Sequence, residues 1–284
     1  MKDKTVLITG ANDGIGRATA ERLAGRGAHV VLACRDDAKA QHVAKAIMES
    51  TGNHNVDTLP IDLASMASIK AATEEFLAEH PKVDVLINNA GVYTDRLELS
   101  EDGYELQFAV NYLGHFLLTL NLLPAIQCCR HCTRVINVSS ALHKKGVLDF
   151  TNLKGEKKSY NGSEAYAQSK LANVLFTMEL DRRFGRDLTT NCLHPGVVGT
   201  RLANKKAGAF TSAVWSMYKP FAIKPEQGAS TSVYLATSPE VKDVSGRYFD
   251  ENQCLQKPSA IARNEQLARR LWEYSEAAVA DFRI

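Results

Sequence analysis

Tyr166 and Lys170 stand four residues apart in a run whose apolar residues Ala172, Leu175, Phe176 and Leu180 follow helical spacing. On a helix that interval puts a phenol and an ammonium on one face, about a turn apart. A free phenol ionises near pH ~10 and shuttles protons poorly at neutrality. Bringing its pKa toward ~7 takes about 4 kcal/mol of preference for the phenolate, and a neighbouring ammonium can supply much of that field. The pair therefore reads as acid/base chemistry at an oxygen. Ser139, closing the apolar run Arg134 to Ser139, could bond that oxygen and orient its carbon. Ser140 follows it, but successive strand residues face opposite ways, so one of the two must point elsewhere. Asn111, in Phe108-Ala109-Val110-Asn111-Tyr112, is expected on a helix, holding a water that passes protons between Lys170 and solvent. Taken singly these residues have structural readings too: a helix cap, an interhelical bond, a solvated charge. His115, His143 and His194 are competing catalysts, but no GxSxG elbow accompanies them and a hydrolase is a poor match. His194 leads into Pro195-Gly196, where a structural hydrogen bond is the expected role.

Positioning these residues falls to alternating elements. Apolar or β-branched runs recur at 5–9, 29–34, 56–60, 83–88, 134–139 and 188–193, separated by longer stretches with helical spacing at 37–48 and 65–77. Ser65 is placed to cap one helix; a later helix is expected over Pro225 to Ala236 and a seventh strand around Gly246 to Phe249. The pattern predicts an α/β fold: a doubly wound, Rossmann-type parallel sheet of about seven strands with helices on both faces. Right-handed crossovers bring every strand's C-terminal end to one edge, where ligands of such sheets bind. No linker rich in Pro, Gly or Ser divides the 284 residues, so a single domain spanning 1–284 is expected.

At the first strand-to-helix junction lies Thr9-Gly10-Ala11-Asn12-Asp13-Gly14-Ile15-Gly16-Arg17. Glycines let the backbone turn tightly and approach a pyrophosphate, which the free N–H groups of Ile15 and Gly16 at the helix start, with Asn12 in the turn, would meet. The spacing differs from GxGxxG and lacks the Gly-Lys-Ser/Thr end of a triphosphatase loop, so a dinucleotide is favoured. The second strand ends at neutral Cys34, followed by Arg35, whose guanidinium suits a 2′-phosphate. NADP(H) is therefore expected, although Asp36 and Asp37 sit near the offset at which an acid would hold a free ribose diol and could instead cap a helix. Asp62 could accept from the adenine amine or cap the next helix. Asn88-Asn89-Ala90-Gly91 could let the adenosine ribose approach or simply build the turn.

Together these features resemble the classical short-chain dehydrogenase/reductases along nearly the whole chain. The resemblance maps that family's catalytic set onto Asn111, Ser139, Tyr166 and Lys170, and its nicotinamide-binding turn onto Pro195-Gly196-Val197-Val198-Gly199-Thr200. It implies that Lys170 also binds the nicotinamide ribose, that Val198 meets the carboxamide through its backbone, and that hydride leaves the si (pro-S) face. Val110 to Thr119, Tyr166 to Asn173 and the 27-residue step from Ser139 to Tyr166 resemble the retinol dehydrogenase-like branch, which commonly prefers NADP(H). Many members of that branch carry an N-terminal membrane anchor, which this chain is expected to lack because Met1-Lys2-Asp3-Lys4 runs straight into the first strand.

Arg201 to Lys224 contains Leu202, Phe210, Val214, Trp215, Met217, Tyr218, Phe221 and Ile223, which suit an apolar lid over a lipophilic aldehyde, ketone or alcohol. An interior helix or a subunit contact in a homo-oligomer is the other reading. The formal charge of +2 arises from 34 basic and 32 acidic residues without a basic stripe, so nucleic acid is not an expected partner. Phe116 to Ile126, broken by Asn121 and Pro124, is too short to span a bilayer, and a cytoplasmic protein is expected. No metal site is expected either, because Cys128-Cys129-Arg130-His131-Cys132 has no CxxC pair to complete it. These readings converge on an NADP(H)-dependent oxidoreductase acting on a carbonyl or alcohol; the alternative is a catalytically idle NADP(H)-binding scaffold or redox sensor.

Overall fold

A computed structural model of the chain describes residues 1–126, 133–156, 159–197 and 223–284. Strands β1 (Thr5–Thr9), β2 (His29–Cys34), β3 (Val56–Pro60), β4 (Val85–Asn88), β5 (Thr133–Val138), β6 (Leu188–Leu193), β7 (Arg247–Phe249) and β8 (Leu255–Gln256) form one sheet in the order β3-β2-β1-β4-β5-β6-β7-β8. The first seven pair in parallel; β8 returns antiparallel against β7, an eighth strand beyond the seven expected. Its two residues are exposed, so no apolar run marks it in the sequence. Chain order reverses between β1 and β4, which pair at Val6↔Val85 and Ile8↔Ile87. The crevice beyond their C-terminal ends is the topological switch point where such sheets bind ligands.

Helices α1 (Gly14–Ala24), α2 (Asp37–Thr51), α3 (Met66–Glu79), α4 (Gly114–Asn121), α5 (Gly162–Phe184), α6 (Ser230–Thr237) and α7 (Glu265–Val279) flank the sheet. Their starts follow local chemistry: Asp13, Asp36, Ser65, Asn161 and Asn264 each accept a backbone N–H of the first turn. The helix expected over Pro225 to Ala236 is divided, a single turn at Pro225–Gly228 preceding α6. A five-residue π turn, Ala109–Leu113, leads into α4. Wide turns of this kind recur at functional sites, and this one carries Asn111.

Two apolar cores result, one on each face of the sheet. Val6, Ile8, Val30 and Leu32 pack against Ala20, Leu23, Val43 and Ile47 of α1 and α2. On the other face, Leu7, Val31, Leu86 and Val135 meet Ile69, Phe116, Leu175 and Trp272. Among the described residues no helix is long and apolar enough to cross a membrane.

Trp272 is 2% exposed and anchors α7, its indole 5.0 Å from the Phe116 ring and 6.0 Å from that of Phe176. Trp272→Ala should cost about 3–5 kcal/mol of unfolding free energy, the usual cost of emptying so large a buried volume. Denaturant melts with an unchanged m-value will show it.

Candidate active site

The glycine turn closes against the end of β4. Gly10 and Gly14 have φ of +65° and +51°, a backbone region that disfavours side chains. A Cβ on Gly16 would lie 2.4 Å from the Gly10 carbonyl and 2.6 Å from Asn89 Nδ2. The cradle is thus dimensioned for backbone alone at the start of α1, where first-turn N–H groups lack intrahelical acceptors. Asn89 spans the crevice, donating from Nδ2 to Thr9 O at 2.8 Å.

Beneath this junction the Thr9 hydroxyl is buried and saturated. It accepts from the N–H groups of Asn89 (2.9 Å) and Ala90 (3.0 Å) and lies 2.8 Å from His115 Nε2. His115 Nδ1 sits 3.1 Å from the Asn111 carbonyl, an obligate acceptor. The imidazole must therefore carry its proton on Nδ1 and accept the Thr9 hydroxyl proton at Nε2. Burial, aided by the charge of Lys170, pushes its pKa down to about 3, which keeps it neutral. His115 is structural, though it links both nucleotide turns to the π turn.

Asn111 does not hold its side chain free for water. Its Oδ1 accepts Val92 N at 2.7 Å, and its Nδ2 donates to Val92 O (3.1 Å) and Ser169 Oγ (3.0 Å). It clamps the segment that follows Gly91 onto α5, and its carbonyl is taken by His115. This differs from the expected water-holding role, because a carboxamide can satisfy both backbone groups of an extended residue simultaneously. Asn88 and Asn137 extend the polar seam: Asn88 donates to Asn137 and to Thr119 of α4, and Asn137 to Thr177 of α5.

The residues expected to react come together on the C-terminal side of β5. Tyr166 and Lys170 lie on α5, the ammonium 5.6 Å from the phenol ring centroid. Lys170 is 3% exposed and donates from Nζ to Val138 O at 2.9 Å, and a Cβ on Gly91 would sit 3.6 Å from it. Burial brings its pKa down to about 8. Tyr166 is half-buried, with its hydroxyl bonded to Ser140. Burial pushes the phenol up to about 12 and outweighs the lowering by Ser140. The expected depression toward neutrality by the ammonium is not the balance found in the protein alone: both groups are desolvated, and the Lys170 charge is spent on a carbonyl.

Ser139 points the other way from the expectation. It lies just past β5, 2% exposed, and its hydroxyl donates to Lys170 O at 2.8 Å. The alternation of side chains along an extended segment turns Ser139 into α5 and Ser140 toward Tyr166. Two histidines are likewise committed to structure. His143 lies 2.8 Å from Ser140 O and accepts Ser259 N; His194 Nδ1 lies 3.2 Å from a Glu251 carboxylate oxygen and 3.4 Å from Gly196 N.

Around the cofactor edge, Arg35 is exposed, with its guanidinium 3.9 Å from Asp62. Asp62 also accepts Ala64 N, the turn-capping alternative for that residue. Asp36 caps α2 through Lys39 N, and Asp37 accepts from Gln41 within the first turn. Both acids are thus helix-start groups. The Cys34 thiol is bonded by the Ala11 and Asn12 backbone and pushed up to about 11 by burial, so the strand end is neutral. Asn12 Nδ2 reaches Asp36 O at 3.4 Å. Ile15 lies in the first turn of α1, Ala90 and Gly91 follow β4, and Pro195 and Gly196 follow β6, all on the same sheet edge. Val198, Thr200, most of the 201–224 segment and the Cys128 to Cys132 cluster lie outside the described residues.

With this geometry in view, the chain belongs to the short-chain dehydrogenase family, whose model matches residues 4–209. Within it, the chain falls in the retinol dehydrogenase-like branch. Mouse retinol dehydrogenase 14 is 45% identical over 299 residues, covering 98% of this chain and 86% of that protein. Human retinol dehydrogenase 13 is 45% identical over 285 residues, covering 97% and 84%. A crystal structure from Mycobacterium paratuberculosis superposes with a TM-score of 0.79 at 33% identity, covering 98% and 94% of the two chains. One from Beutenbergia cavernae, with NADP bound at low occupancy, gives 0.70 at 28% identity over 88% and 96%. The chain is an oxidoreductase of the nicotinamide-dependent kind.

Ser140→Ala should lower kcat by about 10²–10³-fold, the scale for losing one aimed donor. Ser139→Ala should leave kcat within about threefold and cost only about 1 kcal/mol of stability, the net worth of a buried hydrogen bond. Steady-state kinetics beside thermal melts of the two variants separate these roles.

Proposed function

We propose that this chain is an NADP(H)-dependent reductase of lipophilic aldehydes and ketones, with Tyr166 as the acid/base. The observation that carries the reading is the Tyr166 hydroxyl bonded to Ser140, one helical turn from an ammonium beside the Gly91 turn. The glycine cradle, which excludes even a methyl at Gly16, fits a dinucleotide pyrophosphate, held by Gly10, Asn12, Gly14, Ile15 and Gly16. Asn89, Ala90 and Gly91 would face its adenosine half, and Pro195, Gly196, Val198 and Thr200 its nicotinamide. A reduced nicotinamide held there would supply the hydride for the substrate carbonyl carbon.

As negative charge grows on the substrate oxygen, Ser140 donates a hydrogen bond to it and Tyr166 transfers its phenolic proton. A phenol held protonated by burial is the form this direction needs. Lys170, charged at neutral pH even with its pKa lowered to about 8, stabilises the phenolate left behind. Its 2.9 Å bond to Val138 O fixes the ammonium, and it would also hold the nicotinamide ribose. Asn111 positions this group of residues through Val92 and Ser169. Alcohol oxidation runs the same proton path in reverse.

For the coenzyme, the exposed Arg35 beside a neutral strand end favours a 2′-phosphate, and Asp36 and Asp37 are engaged at the start of α2. NADP in the Beutenbergia structure agrees with this choice. A lipophilic substrate is supported by exposed Leu142 and Val147, which follow Ser140, and by Val197 past the β6 turn. The names of the retinol dehydrogenase relatives point the same way.

Tyr166→Phe should reduce turnover of an apolar aldehyde and ketone panel by about 10²–10⁴-fold, the usual share of general acid catalysis. Its NADPH affinity, read by fluorescence titration, should stay within about threefold; full activity would remove the proton donor, and a wild-type protein that binds NADPH but turns over nothing on the panel would favour an idle scaffold. Arg35→Glu should raise the NADPH dissociation constant roughly 10- to 100-fold while changing that for NADH little, since only the former presents a phosphate to the reversed charge. Equal losses for both coenzymes would contradict the assignment.

A further inference from the structure

We infer that His29, Asp57 and His80 form a divalent transition-metal site, suited to zinc, at the edge of the sheet opposite the nucleotide crevice. His29 opens β2, Asp57 is the second residue of β3, and His80 is the cap that ends α3. Parallel register pairs Val31 with Asp57, and His29 lies two residues before Val31 on the same face, the one covered by α3. Three elements distant in sequence thus deliver three ligand atoms that all lie within 4.8 Å of one another.

The donor set is two imidazoles and a carboxylate, which suits zinc bound by nitrogen and oxygen with water in the fourth position. Bonds of ~2.0–2.2 Å put tetrahedral ligand atoms ~3.3–3.5 Å apart, so side-chain shifts of about 1 Å close the site. The required freedom is present: the Asp57 side chain is 56% exposed and that of His29 is 28% exposed. The imidazoles are nevertheless oriented. His80 packs its ring 4.7 Å from that of Phe76, and the His29 and His80 rings meet edge to face at 5.0 Å. The His29–Asp57 contact of 2.5 Å gives way to two metal bonds when His29 presents the Nε2 lone pair, its proton passing through solvent to Nδ1 or to bulk. Glu79, 3.9 Å from His80 Nε2, adds negative charge beside the cation.

The consequence is mechanical. β3 is the terminal strand of the sheet, with only β2 as a strand neighbour. A metal held by these residues would bolt it to β2 and to the end of α3. The site lies six residues from Arg35 along β2, roughly 20 Å at strand rise, so it should not touch turnover. No two of these ligands share a local motif, so the site has no signature in the sequence.

The test uses the full chain, stripped with EDTA and desalted, then titrated with zinc chloride by calorimetry and followed by thermal melting. One equivalent should bind at this site, and zinc at about 100 times its dissociation constant should raise Tm by about 5 °C or more. His29→Gln and His80→Gln should each abolish that equivalent and its Tm gain, and Asp57→Asn should weaken it at least tenfold, all with unchanged NADPH-dependent turnover in metal-free buffer. Cobalt bound in place of zinc should show no thiolate-to-metal charge-transfer band. No zinc-dependent Tm gain, a gain that survives both histidine variants, or a thiolate band from the bound equivalent would overturn the site and leave the three residues as an ion pair beside a packed imidazole.

Discussion

Everything at the cofactor edge hangs on one buried hydroxyl. Thr9 ends β1, where the chain must turn sharply into α1, and its side chain has one proton to give and two lone pairs to share. Both acceptor sites go to the turn after β4, and the proton goes to His115. Because His115 donates its single ring proton, on Nδ1, to the Asn111 carbonyl, the chain of bonds runs from the glycine turn, through the π turn, to the clamp on Val92 and α5. Every link is saturated and nearly dry, which makes such a network rigid and its interruption costly. A neutral imidazole suits that role, and its burial enforces neutrality.

Tyr166 and Lys170 show a contest between two electrostatic effects. An ammonium one turn away favours phenolate, whereas desolvation favours the neutral phenol. In the protein alone desolvation prevails for Tyr166 and acts on Lys170 as well, moving the two pKa values in opposite directions, the phenol up to about 12 and the ammonium down to about 8. The ammonium donates to the Val138 carbonyl, and the Tyr166 hydroxyl has Ser140 as its partner. In the reaction proposed above, proton donation to a carbonyl would begin from the neutral phenol.

The molecule keeps two polar clusters at opposite ends of the strands. Residues following the C-terminal ends of β1, β2, β4, β5 and β6 line one edge, that of the candidate site. His29, Asp57 and His80 gather at the other. A shared sheet connects the two, but the cores on its faces are stiff and apolar, so fastening one end need not disturb chemistry at the other.

Much was legible in the chain's own pattern. Alternation of buried apolar strands with amphipathic helices, glycines after the first strand, and a Tyr and Lys four residues apart sufficed for the fold class, the crevice and the placing of that pair on one helix, because these depend on local periodicity and backbone sterics. The two-residue β8, the division of the helix after Pro225 and the true direction of Ser139 were decided by tertiary packing. Adjacent serines are alike in sequence, and only the seating of α5 against β5 selects which hydroxyl bonds a helix carbonyl and which meets Tyr166. Asn111 and His115 show the same limit. Their partners lie across the fold, and a hydrogen bond between distant residues exists only once the sheet and helices have set the distance between them.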